Sequence, residues 1–401
     1  MKKIIINSDY NDPNNCNIEV VERKGLGHPD SLADMLAKEC SRAYSKFCID
    51  NFECVLHHNF DKLYIGAGCF RYENNCMKMY DKVKVFLNGR ASNTMNGKTI
   101  DLEKLLKPVI KKYIHSILPR LDVDNELDIH INCTQNTKMS NWFSPENISD
   151  IPDAKELFAN DTSLCISHFP NTICENITLE AERFFWNFDG EYPSPKYSNV
   201  GQDIKVMTSR INNNIDVTIC LPVYSDVFKN FEEYKEIVKD YEQKLTTYLL
   251  TKVPKEFNIN IAINRLADGN YRNYSLIKGS CIECGEEGVV GRGNDSRGLI
   301  SALRSHTMEA PFGKNERYHT GRVLSYVSNL TTKRIYQECN IKSSLYCLTR
   351  NRNKLMEPFM LYLSVNKSIS KEEERRIEKI IEEEFNEKTY LLKILNDKSI
   401  Y

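Results

Sequence analysis

The amino-acid sequence predicts an α+β fold, in which mixed or antiparallel sheets are covered on one face by helices. Runs rich in Val, Ile and Tyr recur along the chain, which is typical of β-strands, and stretches with a helical spacing of apolar residues lie between them. The predicted strands are 18–24, 53–59, 62–68, 83–89, 127–132, 203–223 and 257–265. The predicted helices are about 30–50, 101–118, 174–187, 229–252, 321–336 and 371–387.

Local signals refine three of these elements. Three asparagines at 212–214 interrupt the run 203–223, and because Asn tolerates a left-handed backbone, we expect a hairpin turn there. Ser370 and Glu373 have the spacing of a capping box, so the last predicted helix begins beside them. The stretch 134–160 is rich in Asn, Ser and Pro and is predicted to be a long loop.

Length and composition indicate a globular protein of two or three domains. The chain has 401 residues, of which 41% are hydrophobic and 27% charged, and its formal net charge is −1. No global basic field therefore favours nucleic acid or an anionic membrane as a partner. The apolar N-terminal run is too short for a signal peptide, and no stretch reaches the roughly 20 apolar residues of a membrane-spanning helix. We expect a cytoplasmic protein.

The sequence contains 14 cysteines, but their spacing is irregular. Cys281 and Cys284 form a C-x-x-C pair, and no second pair follows at the interval of a zinc ribbon. The pair is open to a metal or redox interpretation. We interpret it instead as small buried thiols of a reducing compartment.

The segment "KGLGHPDS" at 24–31 precedes the first predicted helix. Asp30 is well placed to cap that helix, since aspartate accepts hydrogen bonds from free backbone amides. Capping does not explain His28, nor Lys24 and Arg23 just before it. Unpaired amides at a helix start together with flanking cations make an anion site. The segment is thus either a capped turn or an anion-binding site.

A second segment, "CGEEGVVGRGNDSRGLI" at 284–300, is rich in glycine and carries Arg292 and Arg297. Glycines let the backbone approach a ligand closely. The glycine spacing differs from that of a dinucleotide-binding fingerprint, and no clear strand leads into it. A phosphate site and a plain loop both remain open.

The third segment, "MEAPFGKNERYHTGR" at 308–322, concentrates positive charge. It is not a P-loop, because position 308, five residues before its glycine, is Met. Either this is a basic surface loop or its cations surround a polyphosphate. The residues concerned are Lys314, Arg317, His319 and Arg322.

Further charged residues lie near predicted strands. Asp203 and Lys205 are two residues apart, so a strand would point both to one side of its sheet; solvent exposure is the alternative. Asp161 lies in "ANDTSLC" (159–165), and two histidines begin "HHNFD" (57–61). Adjacent histidines on a strand face opposite ways, which disfavours a shared metal.

No serine–histidine–aspartate set and no zinc motif is present. Several separated segments combine glycine with cations, and a few carboxylates accompany them. This combination fits a polyphosphate that is held together with Mg²⁺.

These segments resemble the archaeal-type S-adenosylmethionine synthetases. The resemblance extends from residue 18 to the C-terminal helix, with the motifs in the family's order. The motifs are "VERKGLGHPDSLAD", "VLHHNFD", "ANDTS", "GQDIKVM", "EEGVVGRGN…GLI" and "MEAPFGKN…H…G". The resemblance implies formation of S-adenosylmethionine from ATP and methionine, with phosphate and diphosphate as the other products.

The resemblance also implies the architecture and the ligands. It implies three α+β subdomains with pseudo-threefold symmetry, which we place at about 1–125, 126–270 and 271–401, with interleaving. It further implies a homodimer with active sites at the interface, a requirement for Mg²⁺ and activation by K⁺. A thioether sulfur has no proton to lose, which accounts for the missing general base. The enzyme must align sulfur and carbon, which can supply about 7–11 kcal/mol, and neutralise the leaving triphosphate.

Individual roles are carried over from the family motifs. The resemblance implies catalytic roles for His28, Arg292 and Lys314, which would contact the triphosphate, and metal binding by Asp30 and Glu287. The residues implied in ATP or methionine binding are Lys24, Asp161, Ser163, Asp203, Lys205, Glu283, Asn294, Asn315 and His319.

Several positions depart from the family pattern. They are "TQNT" at 134–137, "LCISHFP" at 164–170 with its added His168, the longer acidic pair Glu286 and Glu287, Asp295 in place of a cation, and "PF" at 311–312. We expect a divergent synthetase. A paralogue that takes a methionine analogue and a non-catalytic, nucleotide-binding regulatory partner are the alternatives.

Overall fold

The structure is a computed structural model that describes residues 4–74, 76–134, 144–151 and 156–397. The helices in this part of the chain are Pro29–Phe52 (α1), Leu102–Ile117 (α2), Ile173–Arg183 (α3), Phe231–Leu250 (α4), Thr320–Cys339 (α5), Lys371–Phe385 (α6) and Tyr390–Asn396 (α7). The strands are Ile4–Asn7 (β1), Ile18–Lys24 (β2), His58–Asn59 (β3), Tyr64–Gly66 (β4), Cys69–Glu73 (β5), Cys76–Asp81 (β6), Val83–Ala91 (β7), Thr94–Met95 (β8), Lys98–Thr99 (β9), Leu127–Thr134 (β10), Leu164–Phe169 (β11), Trp186–Asn187 (β12), Ser194–Pro195 (β13), Lys205–Ile211 (β14), Asn214–Cys220 (β15), Val223–Tyr224 (β16), Asn258–Ile263 (β17), Ser275–Leu276 (β18), Gly288–Val289 (β19), Ile300–Ser301 (β20), Ser343–Leu348 (β21) and Met360–Val365 (β22).

Three sheets of four or five strands organise the fold. The first sheet has the order β10-β7-β4-β19, with β3 also paired to β7; the second has the order β17-β15-β14-β2-β20; and the third has the order β1-β22-β21-β11. Each sheet contains one parallel pair, and its other pairs are antiparallel. Mixed sheets of this kind confirm the predicted α+β class.

Helices cover one face of each sheet. Helix α1 packs on β4 and β19, and α2 on α1 and β10. Helix α3 packs on β2 and β14, α4 on β17, and α5 on β11 and β21 with α6 behind it. Residues of β14 alternate accordingly: Val206, Thr208 and Arg210 are buried, whereas Met207 and Ile211 are exposed. This two-residue period is the expected signature of a half-covered sheet.

The cores follow the sheets. One continuous apolar core contains side chains from the four helices α1, α2, α3 and α4 and from the first and second sheets. A separate core surrounds the third sheet and includes the predicted apolar face of α6, namely Ile377, Ile380, Ile381 and Phe385. Each sheet draws strands from more than one of the three sequence ranges assigned to subdomains. Those boundaries stay a prediction.

Most predicted elements are present, with boundary shifts of a few residues. The hairpin turn at 212–214 is confirmed, since Ile211 pairs with Asn214 and Asn212 has φ +54°. The capping box of Ser370 and Glu373 is confirmed by reciprocal hydrogen bonds. Of the stretch 134–160, residues 135–143 and 152–155 lie outside the described residues, so the departure at 134–137 is not described beyond Thr134.

Candidate active site

Helix α1 is capped by His28, not by Asp30 as the sequence analysis expected. The His28 backbone is extended, and its ring Nδ1 accepts the N–H of Asp30 at 3.2 Å. Pro29 occupies the first helical position and has no N–H to satisfy. The cap must therefore come one residue before it, which places Asp30 inside the first turn.

The capping bond fixes the tautomer of His28. Burial lowers the pKa of His28 to about 4, so the ring is neutral at neutral pH. Because Nδ1 accepts a hydrogen bond, the single ring proton resides on Nε2. His28 thus presents an N–H donor at the positive end of a helix, where negative charge is stabilised.

His28 lines a cavity of about 460 Å³, which we call the His28 cavity. Asp203 and Lys205 line it too, as do Tyr274 and Cys281 from the following loop. The Asp203 carboxylate accepts the Cys281 N–H at 2.8 Å, and burial raises the pKa of Asp203 well above its usual range. The structure therefore brings together three residues that the resemblance assigned to the nucleotide.

Beside this cavity, Asp30 ties β2 to the glycine-rich segment. Its Oδ2 accepts a hydrogen bond from Lys24 Nζ at 2.8 Å, and its Oδ1 accepts the Val289 N–H at 3.1 Å. Lys24 Nζ also donates to the backbone carbonyl of Arg292. Arg292 itself is an exposed residue. The Asn294 amide bonds to both backbone groups of Lys24. These residues hold the loop on the start of α1.

The glycines of this segment serve the same packing. A Cβ on Gly288 would lie 2.1 Å from the Pro29 carbonyl oxygen, and one on Gly293 would lie 2.1 Å from Asp34 Oδ2. The close approach that the sequence predicted is therefore made to the protein's own helix α1 at both positions. Arg23, predicted as a flanking cation, forms an ion pair with Glu182 at 3.0 Å under helix α3 instead, because alternate residues of β2 face opposite sides of the sheet.

A second cavity of about 710 Å³ contains Lys314, and we call it the Lys314 cavity. Asp161 and His319 also line it. His319 caps α5 as His28 caps α1, with Nδ1 accepting the Gly321 N–H at 3.2 Å. Burial lowers the pKa of His319 well below its usual range. The cavity thus repeats the combination of a neutral histidine donor and a lysine.

Glu309 organises the cations and hydroxyls of the Lys314 cavity. It forms an ion pair with Lys314 and accepts a hydrogen bond from Ser163 Oγ at 2.9 Å. The Asn315 amide donates to the carbonyl of Leu56. Ser163 and Asn315, which were predicted to bind substrate, therefore position the cavity wall in this structure.

Other predicted residues lie elsewhere. Glu283 lines neither cavity, and its buried carboxylate accepts the N–H groups of Ile277 and Lys278. Glu287 lies against Tyr64, where it raises the pKa of that phenol to about 12. Cys284 is exposed and Cys281 is half-buried, so the interpretation of this pair as buried thiols is wrong.

A third cavity of about 260 Å³ is lined largely by residues of the loop 291–310. Its cations Arg297 and Arg304 are both bonded to Glu175, and Arg297 also to Asp295 at 2.7 Å. Asp295 therefore neutralises a protein arginine. Sequence reasoning missed Tyr274, Glu175 and Glu309; of these, only Glu309 belongs to a segment that the sequence had singled out.

The described residues contain no group of three or more His, Cys, Asp or Glu side chains that could hold a metal ion. Within the same part of the chain, no helix is long and apolar enough to cross a membrane. The fold and the two cavities define an α+β protein whose polar sites, at histidine-capped helix starts beside lysines, suit an anionic ligand.

Comparison with known proteins specifies this class. Residues 2–398 match the family model described as S-adenosylmethionine synthetase (AdoMet synthetase). S-adenosylmethionine synthase of Methanothermobacter marburgensis is 32% identical over 320 residues, which cover 78% of this chain and 76% of the relative. The chain belongs to the S-adenosylmethionine synthetase family, which confirms the resemblance seen in the sequence.

Two further relatives show the spread of this similarity. An uncharacterized protein of Streptococcus pyogenes serotype M3 is 37% identical over 369 residues, which cover 92% of this chain and 90% of the relative. The structure of an unusual S-adenosylmethionine synthetase from Campylobacter jejuni matches with a TM-score of 0.56 and 14% identity. That match covers 95% of this chain and 90% of the other, and it shows a shared fold.

Proposed function

We propose that this protein is a methionine adenosyltransferase that forms S-adenosylmethionine from ATP and L-methionine. The observation that carries this proposal is the His28 cavity in a member of this family. It combines a neutral histidine donor at a helix start with Lys205 and Asp203. Such a site suits a leaving polyphosphate, and a thioether substrate needs no general base because its sulfur has no proton to lose.

In the proposed reaction, a lone pair of the methionine sulfur attacks the ribose 5′ carbon of ATP. The S–C bond forms as the C–O bond breaks, and the triphosphate leaves with the electron pair. Water then cleaves the triphosphate to phosphate and diphosphate. His28 Nε2–H and the Lys205 ammonium donate to the oxygens on which charge grows, an effect for which a single donor is typically worth about 10²–10³ in rate.

The donor set of Asp30 fits Mg²⁺. Each of its oxygens accepts one hydrogen bond, and a carboxylate oxygen retains a second lone pair for a cation. Mg²⁺ usually binds through one or two carboxylates plus substrate phosphates. We propose Asp30 as the protein ligand, with Glu287 as a further carboxylate. Bound Mg²⁺ would supply positive charge to the triphosphate. Activation by K⁺ remains a prediction.

We further propose a homodimer. Large apolar side chains are exposed on the uncovered faces of two sheets: Ile18, Met207, Ile211 and Ile300 on the second, and Val289 on the first. Exposed apolar surface of this kind marks protein contacts. In one chain, moreover, His28 and Lys314 line different cavities. A second copy that brings its Lys314 cavity to the His28 cavity would complete the triphosphate site.

The direct test is to incubate the purified protein with ATP, Mg²⁺ and methionine. Mass spectrometry should detect S-adenosylmethionine, diphosphate and phosphate. A higher kcat/KM with ethionine or selenomethionine than with methionine would identify a paralogue that uses a methionine analogue. The changed residues Glu286 and Glu287 favour this alternative. If ATP binds by calorimetry and no sulfonium product forms with any of these thioethers, the proposal fails and a regulatory nucleotide-binding role replaces it.

A further inference from the structure

The C-x-x-C pair forms one tight turn at the wall of the His28 cavity. Cys281–Glu283 is a 3₁₀ helix, and the Cys284 N–H donates to the Cys281 carbonyl at 3.0 Å. A turn closed by this bond keeps the first and fourth Cα atoms within about 7 Å. Disulfides span Cα separations of roughly 4.4–6.8 Å, so the two sulfurs can join with little backbone movement.

The two thiols differ in environment. Cys284 is exposed, and its interaction with the Cys281 thiol lowers the pKa of Cys284. That same interaction, together with burial, raises the pKa of Cys281. Next along the chain, Gly285 has φ +110° and nothing within 4 Å of an added Cβ, so the backbone has room to adjust. An accessible, more acidic thiol beside a protected one is the usual arrangement of an attacking and a resolving cysteine.

Cys281 is joined to residues of the His28 cavity. Its sulfur lies 3.2 Å from the Tyr274 hydroxyl, and its N–H donates to the buried Asp203 carboxylate at 2.8 Å. Tyr274, Asp203 and Cys281 all line the cavity beside His28. Movement of the Cys281 sulfur therefore changes the cavity wall directly.

We propose that Cys281 and Cys284 form a reversible disulfide. Through it, the ratio of small-molecule thiol to its disulfide would control ligand binding in the His28 cavity. The oxidant is a low-molecular-weight disulfide of the glutathione type. The Cys284 thiolate attacks one sulfur of that disulfide, which releases a thiolate and leaves a mixed disulfide. Cys281 then attacks the Cys284 sulfur, its proton passes to the departing thiolate, and a second thiol leaves. The cysteines lose two electrons, and the oxidant becomes two thiols.

The consequence for binding rests on the proposed function. Closing the bond draws the Cys281 sulfur towards Cys284 and away from the Tyr274 hydroxyl. We expect the oxidised protein to bind ATP at least threefold more weakly than the reduced protein, and reduction by dithiothreitol to restore binding.

The test begins with chemistry that does not depend on catalysis. The full chain is equilibrated at several ratios of reduced to oxidised glutathione and quenched by acid. Intact mass and peptide mapping should show loss of two hydrogens and a peptide that links Cys281 to Cys284. Cys284→Ser should remove this product, and Cys76→Ser, which changes an exposed cysteine on β6, should leave it unchanged.

Binding of ATP with Mg²⁺ is then measured by calorimetry on the reduced and oxidised forms. Reduced Cys284→Ser should bind as the reduced wild type does and should be insensitive to oxidised glutathione. The proposal is overturned if no Cys281–Cys284 disulfide forms at any ratio, or if the disulfide forms and ATP affinity is unchanged. If the protein forms S-adenosylmethionine but gives either of these results, only the redox role is refuted. If the disulfide forms but the protein makes no S-adenosylmethionine, only the proposed reaction is refuted.

Discussion

Replacing Glu175 by glutamine should destabilise the protein substantially, because this buried carboxylate holds two arginines. Its oxygens accept hydrogen bonds from Arg304 at 2.9 Å, Arg297 at 3.2 Å and Ser301 Oγ at 2.8 Å, and from the Thr172 N–H at 2.8 Å. The residue is fully buried. Glutamine keeps the shape but removes the charge, which takes the ion-pair partner from Arg304 and leaves Arg297 paired with Asp295 alone.

Two routes give the same magnitude for this loss. Burial by itself raises the pKa of Glu175, but hydrogen bonding and charge from Arg304 and Arg297 outweigh it and lower the pKa from 4.5 to about 2. At about 1.4 kcal/mol per pH unit, this difference corresponds to roughly 3 kcal/mol of folding free energy. Removing one partner of a buried ion pair independently costs about 3–5 kcal/mol. We therefore expect a loss of about 3–4 kcal/mol.

Thermal unfolding checks this value. An unfolding entropy of about 2.1 cal/mol/K per residue gives roughly 0.84 kcal/mol/K for 401 residues, so the midpoint should fall by about 4 °C. The contribution of Glu175 is fully present above pH 4.5 and is lost as the pH falls through its folded pKa of about 2. The difference between wild type and variant should therefore narrow below pH 4.5. Glu374→Gln, an exposed change on α6, is the control, and equal midpoints for the two variants would refute the argument.

Three further outcomes are expected. His28→Asn should lower the rate of S-adenosylmethionine formation about 100-fold and leave the unfolding midpoint within about 1 °C, because asparagine also caps helices; a rate above half of wild type would remove His28 from the mechanism. His168 has a folded pKa of about 4, lowered from 6.5 by burial. Between these two values the unfolded chain therefore binds more protons than the folded chain. As the pH falls from 6.5 to 4, the free energy of unfolding of the wild type should decrease by about 1.4 kcal/mol per pH unit more than that of His168→Gln. Parallel profiles of unfolding free energy against pH would contradict this. Ile211→Lys should convert a dimer to monomer by light scattering, whereas Leu250→Lys, equally exposed at the end of α4, should not; no change for Ile211→Lys would argue against a contact through the second sheet.

The elements with strong local patterns could be predicted from the sequence. A capping box and four apolar residues on one face predict helix α6. Alternation of apolar and polar residues on both sides of an asparagine turn predicts the 205–220 hairpin. The third sheet could not be assembled in this way. Its strand β1 pairs with β22, more than 350 residues later, and no local signal reports such a partner. The same holds for β19 and β20, which have two residues each and are strands only because they pair with distant ones.

The site was predictable in composition but not in connectivity. Glycine and charge pointed to segments whose residues line cavities, and Asp203, Lys205 and His28 share one of them. Whether a given cation faces ligand or protein depends on its neighbours in space. Arg297 forms ion pairs with Glu175 and Asp295, and the Glu283 carboxylate accepts hydrogen bonds from backbone amides. Tyr274 carries no sequence signal, since only the fold brings its hydroxyl to Cys281.

The misassigned cap at α1 shows how a local rule can contain its own correction. Side-chain preference favours aspartate as a cap, but proline is favoured at the first helical position, which makes the preceding His28 the cap. A histidine that accepts an amide N–H through Nδ1 has no free site for a second proton, and the positive end of the helix further disfavours imidazolium. His319 repeats this arrangement at α5. In the proposed reaction both rings would therefore serve as neutral donors, and the positive charge for the departing triphosphate would come from the lysines and from Mg²⁺. The proposed reaction therefore assigns no acid–base role to these histidines.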